Sequence, residues 1–195
     1  MSNLTPRRKR WPIVLSLIFM GLVVSSLLLA GGAAGLAWTN TEAFCIGCHE
    51  MKDNVYAEYK GTIHDKNRTG VRAICSDCHV PREPIPMLKR KIAASFELYG
   101  HFVTGVIDSK EKFEKHRYEM ATRVWTRMKE TDSLECRNCH KSDQMSTELQ
   151  SPKAQARHAK AKAENLTCID CHFGIAHKEP DGPGPQDLKL GQPRH

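Results

Sequence analysis

Every cysteine of this 195-residue chain falls in one five-residue pattern, repeated four times. The copies are Cys45-Ile-Gly-Cys48-His49, Cys75-Ser-Asp-Cys78-His79, Cys136-Arg-Asn-Cys139-His140 and Cys168-Ile-Asp-Cys171-His172. A Cys-x-x-Cys-His run fixes a haem through two thioether bonds and gives its iron one axial ligand, the histidine. Eight cysteines in an exported chain would otherwise suggest a disulfide framework, and paired Cys-x-x-Cys runs also build zinc sites. Neither alternative accounts for a histidine after the second cysteine in all four copies. The expectation is four covalently bound haem c groups, with His49, His79, His140 and His172 on the irons.

The spacing carries an internal repeat. Cys45 precedes Cys75 by 30 residues and Cys136 precedes Cys168 by 32, with a long cysteine-free connection between the pairs. His64 lies 11 residues before Cys75, and His158 lies 10 before Cys168. Each half therefore reads as motif, histidine, motif, which predicts a domain built from two dihaem modules. A low-spin haem needs a second axial ligand, usually His or Met. His64 and His158 qualify by their matching places in the repeat. His177, in "HFGIAHKEP", is too close to its own motif to reach the far face of that haem, so a neighbour's iron suits it. Which haem each serves is not legible. His116 and His195 read as surface groups. The count leaves three distal histidines for four irons, so one iron is expected to lack a strong sixth ligand.

The N-terminus limits where this domain sits. Arg7, Arg8, Lys9 and Arg10 precede an uncharged, largely apolar run from Ile13 to Trp38. Its 26 residues, at a rise of about 1.5 Å each, exceed the roughly 30 Å hydrocarbon core of a bilayer. A cleavable signal peptide is the competing reading, since Ala30, Ala33, Ala34 and Ala37 supply small residues, but the run is far longer than an ordinary signal core. The basic cluster orients such an anchor with its N-terminus in the cytoplasm. In a bacterium the rest then lies in the periplasm, and Trp11 and Trp38 bracket the span. The predicted organisation is a basic cytoplasmic segment, 1–11; a transmembrane anchor, 12–38; a periplasmic tetrahaem domain, 39–178, mainly α with much irregular structure; and a mobile tail, 179–195, rich in Pro, Gly and charge. The formal net charge of +7 owes four charges to the basic cluster, so nucleic-acid binding has no support.

Cys45 follows Trp38 by seven residues, so even an extended chain keeps the first haem within about 25 Å of the membrane surface. A lipid-soluble reductant would meet that haem first. Met51, two places beyond His49, is either an alternative axial ligand there or a residue packed on the porphyrin. After the second motif, "VPREPIP" places three prolines that break regular structure. The following "KRKIAASFELYGHFVTGVI" is too short and too polar to span a bilayer and predicts an interfacial or buried helix. Glu97 inside it would be a costly buried carboxylate without a partner; Lys91, Arg90 and Lys89 are the candidates for an ion pair. From Lys110 to Lys129, Phe113, Met120, Val124 and Met128 recur at helical spacing, predicting a surface helix packed on one face.

These features together resemble the NapC/NirT group of membrane-anchored tetrahaem quinol dehydrogenases, with NrfH as a more distant relative. The resemblance rests on the single anchor and on "CIGCHEM", "GVRAICSDCHVP", "RKIAASFELYGHF", "SLECRNCH" and "TCIDCHFGIAH", and extends to about residue 180. The extra haem domain of the trimethylamine-oxide branch is not seen. The resemblance implies electron transfer from menaquinol or ubiquinol to a periplasmic reductase, with nitrate reductase and its dihaem subunit as the favoured acceptor. It also implies a single-pass protein of the bacterial inner membrane and a high-spin first haem beside the quinol site. A methionine in the position of Met51 is one axial ligand the group uses. Lys91 and Glu97 stand where relatives carry a lysine and an acidic residue; in NrfH that lysine ligates the second haem.

Quinol oxidation releases two electrons and two protons, whereas an iron accepts one electron at a time. A base is therefore needed beside the first haem. Glu97 is the sequence candidate, with Lys91 to hydrogen-bond a quinol oxygen or to hold Glu97 ionised. Two other classes stay open: a terminal reductase of a small nitrogen oxide, and a redox anchor for a soluble oxidoreductase without a quinol site of its own.

Overall fold

The computed structural model describes residues 11–188, which divide after Asn40 into two units. The basic cluster at 7–10 and the end of the chain from 189, with His195, lie outside the described residues. The first unit is one helix, α1 (Trp11–Trp38), none of whose residues is buried. Its 28 residues rise about 42 Å, enough to cross a bilayer's hydrocarbon with tilt. It is the one described helix long and apolar enough to do so.

The second unit is helical and irregular, with no strand among the described residues. In chain order it holds α2 (Glu42–Cys45), a π-turn (Met51–Tyr56) that runs into α3 (Ala57–Tyr59), α4 (Cys75–His79) and α5 (Pro84–Tyr99). A second π-turn (Gly100–Thr104) extends α5; then come α6 (Lys110–Glu130), α7 (Leu134–Arg137), α8 (Pro152–Ala163) and α9 (Cys168–Cys171). The prolines of "VPREPIP" do not keep the helix away. Pro84 and Pro86 lie in the first turn of α5, where a missing N–H costs nothing because those amides have no partner inside the helix.

Helix α6 organises the packing. Ser109 caps it by accepting from the Lys112 amide at 3.3 Å. Its buried face is Phe113, Arg117, Trp125 and Met128, so the predicted one-sided helix forms with a tryptophan added to its apolar set. Trp125 and Met128 close with Ile169 of α9 into a small core edged by Tyr118, Val124, Phe173 and Leu188. The Trp125 ring meets Phe173 edge-on at 5.6 Å.

Residues 179–188 are held rather than mobile. Pro185 is fully buried, Lys129 Nζ donates to its carbonyl at 2.7 Å, and Gln186 donates to the Asp170 carbonyl at 2.9 Å. Composition marks this stretch as a tail because it carries few apolar side chains. Carbonyl oxygens and one proline ring do the docking, and composition does not count those.

Among the described residues, the buried apolar side chains of this unit other than proline are Tyr59, Phe113, Trp125, Met128 and Ile169. Ile85, Ile92, Phe96, Phe102 and Leu149 are each more than half exposed. That is a thin apolar core for a unit of this length, because burial is the main favourable term in folding. Large apolar prosthetic groups would supply what the side chains lack.

Candidate haem sites

Each motif turn is shaped by its own sequence. In the second and fourth, the aspartate before the second cysteine caps the turn: Asp77 Oδ2 accepts from the Ile74 amide at 2.9 Å, and Asp170 Oδ2 from the Thr167 amide at 2.8 Å. In the first, Thr41 Oγ1 accepts from Phe44 N at 3.3 Å. Arg72 ties the approaches to the first two motifs together, bonding Glu42 at 2.8 and 3.0 Å and Asp65 at 2.7 Å.

None of the eight cysteines is in a disulfide. The thiols of Cys45 and Cys75 lie close enough to perturb each other's ionisation, and so do those of Cys136 and Cys168. Between these pairs α4 packs against α7, which brings Cys78 into electrostatic reach of Cys139. The four motifs therefore lie in space in their chain order, first beside second, second beside third, third beside fourth.

The histidines decide what this array suits. Each motif histidine faces a histidine from outside the motifs. Ring centroids are 6.0 Å apart for His49 and His101, 6.0 Å for His64 and His140, 6.0 Å for His79 and His177, and 6.2 Å for His158 and His172. With metal–nitrogen bonds of about 2 Å, two imidazoles gripping one ion from opposite sides stand close to that separation. His64 and His177 thus cross from one half of the sequence to motifs of the other half, so the halves interlock. The sequence count of three distal histidines missed His101, which sits in the π-turn after α5, within what reads as an apolar run. Its signal was available: an ionisable side chain in an apolar stretch needs a reason. His116 is part-exposed and pairs with Glu119 at 3.3 Å.

Burial keeps several of these rings neutral, the form that binds a metal. Burial, reinforced by the charge of His177, pushes His79 down to about 3. His64 is lowered by burial and then by His140, and His177 by burial. Oxygen acceptors fix the tautomers. His177 Nδ1 lies 3.1 Å from the Val55 carbonyl and His158 Nδ1 lies 2.7 Å from Gln150 Oε1, which leaves each Nε2 for a metal. Tyr59 holds the backbone around His64, its hydroxyl within reach of the His64 carbonyl at 2.8 Å and of the Ala73 carbonyl. Sequence reading singled out neither Gln150 nor Tyr59.

The two residues expected at a quinol site are not brought together. Lys91 lies on the Cys45 side of α5, and burial, set against the pull of the Cys45 thiol, lowers its pKa. Glu97 is 57% exposed and makes a two-pronged ion pair with Arg90 at 3.1 and 3.2 Å. Six residues along a helix turn a side chain far around the axis. The buried carboxylate expected at Glu97 is therefore a solvated one. Met51 opens the first π-turn, part-buried.

Comparison with known proteins gives the family. The model of the NapC/NirT cytochrome c family, N-terminal region, matches residues 7–182. The chain belongs to that family. It is 52% identical over 171 residues to the denitrification system component NirT of Stutzerimonas stutzeri, covering 88% of this chain and 85% of NirT. It is 50% identical over 166 residues to the cytochrome c-type protein NapC of Escherichia coli K12, covering 85% of this chain and 82% of NapC. Against the cytochrome c-type protein TorC of the same strain it is 45% identical over 172 residues, 88% of this chain but 44% of TorC. No solved structure matches. Membership makes the chain a c-type cytochrome, an electron-transfer protein with covalently bound haem c, and α1 fits a single-pass membrane anchor.

Proposed function

We propose that this protein is a quinol dehydrogenase that passes electrons from membrane quinol through four haems to a periplasmic terminal reductase. The observation that carries the reading is the set of four histidine pairs strung along motifs that lie in chain order. Such an array suits conduction from one end to the other. Haem c, bound through Cys45 and Cys48, Cys75 and Cys78, Cys136 and Cys139, and Cys168 and Cys171, would supply one-electron iron centres.

The residues of the chain supply the rest. His64, His158 and His177 serve as distal ligands to the haems on His140, His172 and His79, so two dihaem modules share ligands instead of standing apart. Lys91, beside the first motif, orients a quinol oxygen by hydrogen bonding. Part-buried and reduced in basicity, it gives up less solvation than an exposed lysine on meeting a neutral phenol. Glu97, solvated and paired with Arg90, receives a proton and passes it to water. Release on the side of the haem domain makes the reaction non-pumping.

The four basic residues before α1 support a haem domain in the periplasm of a bacterial inner membrane. The favoured acceptor is nitrate reductase with its dihaem subunit, as the resemblance implies, while the denitrification label of NirT keeps other nitrogen-oxide reductases in view. The test is anaerobic mixing of the oxidised, detergent-purified protein with a menaquinol or ubiquinol analogue. Inhibitor-sensitive haem reduction supports the reading. Haems reducible by dithionite but by neither quinol would support a redox anchor without a quinol site.

A further inference from the structure

Arg117 shows how this chain uses the side edge of a guanidinium: its Nε and Nη2 grip both oxygens of Glu114 at 2.8 and 2.9 Å. Arg127, ten residues further along α6, has the same edge buried, and neither Nε nor Nη2 has a hydrogen-bond partner in the chain. It lies between the buried Trp125 and Met128. Arg90 of α5 stands within electrostatic reach of it. Glu97 holds Nη1 and Nη2 of Arg90 at 3.1 and 3.2 Å, while the Arg90 Nε is buried without a partner. Two neighbouring cations with buried, uncommitted donors are unfavourable unless an anion joins them.

Glu135 does not serve. It is 3% exposed with neither oxygen bonded, and although it lies within electrostatic reach of Arg127 the two make no bond. It stands toward the cysteine side of the second motif, in reach of Cys78, whereas both arginines reach the buried His79.

We propose that Arg127, with Arg90 beside it, binds a propionate carboxylate of the haem on the second motif. The inference rests on the tetrahaem reading above. A haem c carries its propionates on the porphyrin edge away from the thioether bonds, so cations beside the motif histidine and off the cysteine side suit that edge. The side edge of Arg127 offers a carboxylate two parallel N–H bonds, the arrangement that Arg117 makes with Glu114, and Arg90 Nε offers a third. Fixed positive charge at that edge disfavours the oxidised iron. The second haem should therefore take electrons more readily than it would with a bare propionate.

The experiment reads the propionates directly, on the full chain in detergent. Resonance Raman spectra resolve the propionate bending bands, whose positions follow hydrogen bonding to the carboxylate. Spectroelectrochemical titration gives the potentials, and intact mass fixes the haem number. Arg127→Gln should keep four haems, move one component of the propionate intensity to the position of an unbonded carboxylate, and lower one reduction potential. The haem concerned should be the one that His177→Ala disturbs. Arg127→Lys keeps the charge without the fork, so it should move the band and leave the potential near that of the wild type. Unchanged propionate bands in Arg127→Lys overturn the assignment even if Arg127→Gln does not load haem. So does a Glu135→Gln variant that reproduces the Arg127→Gln spectrum, because Arg127 would then be the partner of Glu135. A shift at any other haem overturns the location at the second motif. A wild-type mass short of four haems would instead bring down the tetrahaem reading itself, and this site with it.

Discussion

His64, from the first half of the sequence, faces His140 of the third motif across 6.0 Å, with the rings nearly perpendicular at 82°. The spacing repeat alone suggests that an intervening histidine serves a motif beside it in sequence. The fold sends it across the interface where α4 meets α7.

His64→Ala should therefore disturb the third haem and spare the first two. The expected outcome is one high-spin haem equivalent in the intact tetrahaem protein. Its potential should move with that of a His140 variant, read by spectroelectrochemical titration. A change confined to the haem of the second motif would contradict the assignment.

Gln150 gives a milder test. Its side-chain oxygen, 2.7 Å from His158 Nδ1, fixes the ring without touching the metal position. Gln150→Ala should leave haem attached at the fourth motif but populate two spin states there, because outer-shell partners of this kind orient their ligands. Gln150→Glu should retain the single low-spin form.

Arg117 joins three segments that are distant in sequence. It bonds Glu58 at 2.7 and 3.0 Å, Glu114 at 2.8 and 2.9 Å, and the Lys178 carbonyl at 3.3 Å. Burial works to raise the pKa of Glu58, but Arg117 and the Lys178 amide outweigh it and hold the carboxyl below its ordinary value. A depressed carboxylate contributes stability above its unfolded pKa of roughly 4.3, and loses it as the pH falls through the folded value. The thermal midpoint should accordingly hold from neutral pH down to about pH 5 and drop as the pH falls below about 4. Arg117→Ala should lower stability at pH 7 by about 3 kcal/mol and flatten that part of the profile, as calorimetry across pH would show.

Ser133 is fully buried, with φ 50°. Its Oγ accepts from the Thr167 hydroxyl at 2.7 Å and from the Ile169 amide at 3.1 Å, linking the third motif to the fourth. Ser133→Ala orphans a buried amide and should cost about 2 kcal/mol. Chemical denaturation of the haem-loaded protein would measure it. A loss below about 0.5 kcal/mol, the size of an ordinary surface change, would mean that water replaces the link.

The parts of this molecule that covalent chemistry dictates were legible in the sequence. Haem attachment needs fixed neighbours, so Cys45 through His172 announce themselves, and a bilayer demands an uninterrupted run such as Ile13 to Trp38. Partnerships made through space were not legible. His101 stands with His49, and of the three cations the sequence offered Glu97 it is Arg90 that pairs with it, because helix phase and the π-turn at Gly100 decide which side chains meet. The docked stretch around Pro185 escaped for a similar reason, since its contacts are mostly made by backbone carbonyls.

The central claim is that quinol enters at the first motif with Lys91 as the orienting group. Stopped-flow reduction of the oxidised protein by a menaquinol analogue, compared among the wild type, Lys91→Gln and Glu97→Gln, tests it most directly. The account predicts inhibitor-sensitive reduction in the wild type, a loss of about 100-fold in Lys91→Gln with all haems attached, at the low end of what one positioned proton-transfer group contributes, and a smaller loss in Glu97→Gln. Equal rates in the wild type and Lys91→Gln, or reduction indifferent to quinol-site inhibitors, would contradict it.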